Sequence, residues 1–178
     1  FTKGTSTFRY YKKVFWEVVL RNNISYGLIT SNDSDKAPPF NELFLLVAPY
    51  SLRGYYNMTI GKRVRSDKTY DALISKGYSA EEAQRRSMKP YGGKQQLYYS
   101  AELEFPMINE AGIKGVVFFD IGQAEDQIRG NEFLSDVGFG LMWFSPIGPL
   151  RFEWGFPLDY DPLYHEPVVF DFSIGSPF

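Results

Sequence analysis

Apolar and polar residues alternate along this chain in run after run. In residues 14–28 one set of alternate positions reads Val14, Trp16, Val18, Leu20, Asn22, Ile24, Tyr26, Leu28; the other reads Phe15, Glu17, Val19, Arg21, Asn23, Ser25, Gly27. Residues 95–106 set Leu97, Tyr99, Ala101, Leu103 and Phe105 against Gln96, Tyr98, Ser100, Glu102 and Glu104, and Pro106 ends the run. Residues 113–123, 133–145, 150–158 and 168–178 repeat the pattern; the clearest sets Leu150, Phe152, Trp154, Phe156 and Leu158 against Arg151, Glu153, Gly155 and Pro157. A period of two predicts β-strands with one apolar and one polar face. The runs match a tilted membrane-crossing strand of roughly 9–11 residues. The count is five to six strands, with residues 5–13 as the partial one.

The connections carry a second signal. Ser145-Pro146-Ile147-Gly148-Pro149 is a tight turn set by proline and glycine, and residues 106–112 make another short link. Residues 124–132 and 159–167 are longer and polar. Short and long links that alternate are the habit of outer-membrane barrels, whose periplasmic turns are short and outer loops long. The longest link runs over residues 29–94, a length that calls for function or internal structure. Within it, Ser79-Ala80-Glu81-Glu82 reads as a capping box, and a short helix is expected at 80–88.

Composition narrows the classes. Tyr and Phe dominate an aromatic content of 18%, which suits aromatic belts at two membrane interfaces. Cysteine is absent, so there are no disulfides or thiolate metal sites. The net charge of −2, with both signs interspersed, gives no reason to expect nucleic acid. No Ser/His/Asp set, metal cluster or phosphate loop stands out; neither enzyme activity nor a cofactor is expected, and His165 reads as a solvated loop residue. The chain opens on Phe1 without a leader pattern and reads as an excised or mature piece. Five or six strands cannot close a barrel with a usable interior, so further strands or a second copy are expected to cover the edges. Alternation alone fits either a soluble sandwich or a barrel, since a polar face can meet bulk water or line a lumen.

Four segments resemble a known family. Leu52-Arg53-Gly54-Tyr55 matches its V-R-G-F/Y loop motif, and Pro39-Phe40-Asn41-Glu42-Leu43-Phe44 looks like the strand leading into that loop. Phe118-Phe119-Asp120-Ile121-Gly122 is similar to its F-x-D-x-G strand, and residues 143–150 to its W-x-S-P-x-G-P-L turn. Taken in this order, they resemble the outer-membrane assembly factors of the bacterial surface antigen family over most of residues 14–178; the insert at 65–93 matches nothing in it. The resemblance implies an integral outer-membrane antiparallel β-barrel of sixteen strands, of which this chain holds the C-terminal five to six. It implies that periplasmic POTRA domains precede the barrel in the family and are absent here. It also implies insertion of other barrel proteins, with unfolded outer-membrane proteins, lipids and, through those domains, accessory periplasmic lipoproteins as partners.

The same resemblance assigns residues. Arg53, presented by a tight turn at Gly54, is expected to fold into the lumen and meet Glu104 and Asp120, both on the polar faces derived above. Phe170, Phe172, Ile174, Gly175 and Phe178 resemble the C-terminal strand and the signal read when a barrel protein is itself assembled. Pro177 cannot donate to a strand ladder, so pairing there should be weak. Protein-translocating relatives, among them TamA-like and two-partner secretion transporters, remain open as alternatives. A diffusion porin would need no docked loop, and a soluble all-β domain would dissolve without detergent.

Overall fold

The computed structural model describes residues 1–32, 36–46, 52–146 and 148–175. Seven strands form one antiparallel sheet in which every neighbour is also the next long strand in sequence: β1 (Thr2–Phe15), β2 (Val18–Thr30), β5 (Gln95–Ile108), β6 (Ile113–Glu125), β7 (Leu134–Ser145), β8 (Gly148–Pro157) and β9 (Val169–Ile174). The long link between β2 and β5 holds a small hairpin of β3 (Arg63–Arg65) and β4 (Met88–Pro90), with helices α1 (Asp67–Ser75) and α2 (Ala80–Ser87) at its tip. No helix among the described residues is long and apolar enough to cross a membrane.

Among the described residues the sheet therefore has seven strands where five to six were expected. The run read as residues 14–28 is broken by a turn at Trp16-Glu17, and Thr2–Phe15 is a full strand paired with β2 from Thr2↔Thr30 to Phe15↔Val18. Sequence hides it because Gly4 and Ser6 share a face with Phe8 and Tyr10, so the apolar positions are diluted. Three further differences lie in the long link. Pro39–Phe44 is no strand: Phe40–Glu42 is one 3₁₀ turn, followed by a single bridge between Phe44 and Gly93. Helix α1 carried no recognised signal, although Ser66 caps it by accepting from the Thr69 N–H. The Ser79 hydroxyl caps α2 by accepting from the Glu82 N–H at 3.2 Å, but the Glu82 carboxylate turns to Arg86, 2.9 Å away.

Burial across the sheet is the reverse of a water-soluble protein. Val117, Phe119, Val137, Phe139, Leu141 and Trp143 are exposed, while Ser100, Glu102, Asp120, Asp136 and Arg151 are at most 1% exposed. An exposed apolar face across the sheet is costly in water and favourable against hydrocarbon. From β5 to β8 the polar face is covered from within by the long link. Leu46, Leu52, Tyr55 and Ile60 from the link pack with Ile29, Tyr98 and Ala124 of the sheet in one apolar cluster.

Phe119 lies at the middle of β6 on the outer face. Phe119→Lys should destabilise the protein in phospholipid by about 2–4 kcal/mol. Denaturant unfolding from vesicles checks this; a change within about 0.5 kcal/mol would mean that this face does not meet lipid.

Candidate functional site: the docked loop and its charged wall

The polar face of the sheet gathers charge by register. Ser100 of β5 lies opposite Asp120 of β6, which lies opposite Asp136 of β7. Glu102 stands two residues along β5, and Arg151 and Glu153 point inward from β8. Residues 52–55 descend onto this wall, and each has its own seat. Leu52, fully buried, joins the apolar cluster. The Tyr55 hydroxyl donates to the Ser135 carbonyl at 3.0 Å, and its ring meets His165 edge-on at 4.9 Å.

Arg53 fills the centre. Nε donates to Asp120 Oδ2 at 2.8 Å and Nη2 to Asp120 Oδ1 at 3.0 Å, a bidentate pair. Nη1 donates to Glu102 Oε2 at 2.7 Å and Glu153 Oε1 at 2.8 Å, and Nη2 also reaches Ser100 Oγ at 3.2 Å. All five guanidinium N–H groups are thereby used. The Phe118 ring lies beneath the guanidinium, 3.5 Å from centroid to carbon. Arg151 Nη2 bonds the same Glu102 Oε2 and Glu153 Oε1, each at 2.7 Å, so two arginines and two glutamates close a ring.

The expected partner Asp120 is in place; Glu104 is not a partner. Glu104 pairs with Arg21 of β2 and with Lys114 of β6, and Glu102 takes its place beside Arg53. Both glutamates face inward, but two residues along a strand is about 6.8 Å, more than a hydrogen bond can span. Glu102, Glu153, Ser100 and Arg151 were legible as inward-facing, and none of them as a partner of Arg53; Arg151 and Lys114 were legible as alternative partners of the lumenal acids, and each pairs with one, Glu102 and Glu104. Gly54 matters for space rather than for a left-handed turn: a Cβ there would lie 2.6 Å from Asp136 Cβ. Gly155 on β8 likewise admits the Arg53 carbonyl, which a Cβ would meet at 2.5 Å.

His165 is half-buried rather than solvated. It packs on Tyr55, and its Nδ1 accepts from the Asp161 N–H at 3.2 Å. Phe170, Phe172 and Ile174 of β9 point outward, with Phe170 against Trp154 and Phe172 against Phe152. Gly175 closes the strand through its N–H to the Pro149 carbonyl at 2.8 Å. Pro177 and Phe178 lie outside the described residues. No group of metal-ligating residues is found among the described residues.

The whole length of this sheet and its inward loop corresponds to one known domain: the sequence profile of the Omp85 superfamily domain matches residues 1–178. The chain belongs to the Omp85 superfamily. Two relatives named outer membrane protein assembly factor BamA are each 28% identical over 182 residues. The one from Nitratidesulfovibrio vulgaris covers 99% of this chain and the one from Neisseria meningitidis serogroup B 85%. The chain spans about a fifth of the length of either, 20% and 21%. The crystal structure of BamA from Haemophilus ducreyi lacking POTRA domains 1–3 shares the fold: TM-score 0.70, 20% identity, 94% of this chain and 34% of that one. The Omp85 sheet described above is a stretch of outer-membrane β-barrel wall, with its apolar face turned to lipid.

Arg53→Ala should lower stability by about 3–5 kcal/mol, because three buried carboxylates lose a shared cation. Arg53→Lys should recover only part, since an ammonium has three donors and no planar fork. Unfolding free energies of the two variants check this, and full recovery by lysine would refute the role of the fork. His165 gives a pH dependence. Burial, and then the nearby Arg63 charge, hold its pKa below the usual 6.5. The unfolded chain then binds the proton more readily, so this contribution is present above about pH 6.5 and is lost as pH falls below it. Amide protection factors over residues 158–165, taken against the intrinsic exchange rate at each pH, should fall on acidification from about pH 7 to 5, and His165→Phe should remove that fall.

Proposed function

We propose that this chain is part of the barrel of an outer-membrane protein assembly factor, which folds and inserts other β-barrel proteins into the outer membrane. Its clients are unfolded outer-membrane barrel proteins. Its surroundings are outer-membrane lipids, and accessory periplasmic lipoproteins engage it through domains outside this chain. The barrel needs no catalytic residue for this: an edge strand offers unpaired N–H and C=O groups to an incoming strand.

The observation that carries the reading is the five-donor docking of Arg53 among Asp120, Glu102, Glu153 and Ser100. It fills the interior beside β5–β8 with a loop. A diffusion porin gains nothing from such a plug, and both named relatives are assembly factors rather than secretion transporters. Phe170, Phe172 and Ile174 give β9 a lipid-facing apolar edge suited to an assembly signal and a seam.

The test is a charge swap in the full-length protein, in cells depleted of the wild type. Arg53→Glu should lower the levels of several outer-membrane barrel proteins. Adding Asp120→Arg should restore them in part, since Glu102 and Glu153 still face the new carboxylate. Unchanged levels with Arg53→Glu alone would end this reading in favour of a pore or transporter.

A further inference from the structure

Residues 65–93 lie outside the four motifs that resemble the family, and the structure gives them a definite neighbour. Helix α2 within this stretch contacts the connection between β8 and β9, residues 158–168. Just before the stretch, in β3, the Arg63 guanidinium lies 3.9 Å from the Tyr164 ring centroid. The Tyr164 hydroxyl donates to the carbonyl of Arg85 in α2. Arg85 Nη2 sits 3.3 Å from Asp161 Oδ2.

The other side of the same connection is tied to the docked loop and the sheet. His165 rests on the Tyr55 ring, and the Asp159 carboxylate accepts from the Ser135 N–H and hydroxyl at 2.8 and 3.0 Å. Between these anchors the backbone is one tight turn. The Asp161 carbonyl accepts from the N–H groups of both Tyr164 and His165 at 2.9 Å, and Asp161 Oδ1 accepts from the Leu163 N–H at 2.9 Å. Residues 161–165 therefore move as a unit, four positions before Val169 opens β9. Among the described residues β9 is the shortest strand of the sheet, at 6 residues, and it pairs only with β8. So short an edge strand holds its place only as firmly as the chain feeding it is held.

We propose that the α1–α2 insert is a strap on the β8–β9 connection, in which Arg85, Tyr164 and Asp161 hold that loop against the docked motif and so position the first residues of β9. The proposal gives the edge strand of the assembly-factor reading a controllable anchor, and it rests on that reading only for its biological consequence.

Two variants of the full-length protein in lipid test it. In the first, residues 66–87 are replaced by Asn-Gly. Arg65 and Met88 are already cross-strand partners, so a two-residue turn closes the hairpin without changing its register. In the second, Arg85→Ala is combined with Tyr164→Phe. Amide hydrogen exchange should quicken about tenfold at residues 169–174 in both variants while β5, β6 and β7 keep their protection. Unchanged exchange at 169–174 in either variant would overturn the strap. So would a rise spread evenly over the sheet, which would make the insert a general stabiliser. Exchange is read without any assembly assay, so its outcome is separable from the fate of the assembly reading.

Discussion

A guanidinium held at the centre of four strands organises this molecule. Arg53 is buried with Asp120, Glu102 and Glu153, and none of these charges is tolerable in that place alone. The carboxylates come from β5, β6 and β8, so the sheet must hold its register for the loop to dock, and the loop must dock for the wall to be neutralised. Each side is the other's counter-charge. The steric demands follow from the same seat: Gly54 and Gly155 stand where the loop backbone passes closest to the wall.

The membrane explains why such a core can exist. In water, a sheet with Phe119, Phe139 and Trp143 outside and Asp120 and Arg151 inside would be inside out. Against hydrocarbon, the outer face takes the place that a hydrophobic core has elsewhere. The interior is then free to be polar, and its specificity comes from hydrogen-bond geometry rather than apolar packing. The smaller apolar cluster around Leu52, Tyr98 and Ile60 supports the loop where it leaves the charged wall.

Much of this was legible in the chain. Alternation assigned the inward and outward faces of β5, β6, β7 and β8, because a two-residue period follows directly from strand geometry. Alternation put Asp120 on the inward face, and the family resemblance, not the period, paired it with Arg53. Height along a strand was not legible. Glu102 and Glu104 share a face, and which one meets Arg53 depends on how far the loop reaches into the interior, a tertiary quantity without a local signal. β1 was half hidden for a different reason, since Gly4 and Ser6 on its outer face carry no apolar signature. His165 looked solvated because its neighbour, Tyr55, lies in a distant segment of the chain.

The central claim is that docked arginine and wall are one energetic unit, and a double-mutant cycle measures it most directly. The cycle compares the unfolding free energies of Arg53→Ala, Asp120→Ala and the double variant in lipid. Interdependence predicts that the two single losses overlap, with a coupling energy of about 2–3 kcal/mol. Losses that add within about 0.5 kcal/mol would contradict it, and would mean that loop and wall are stable independently of one another.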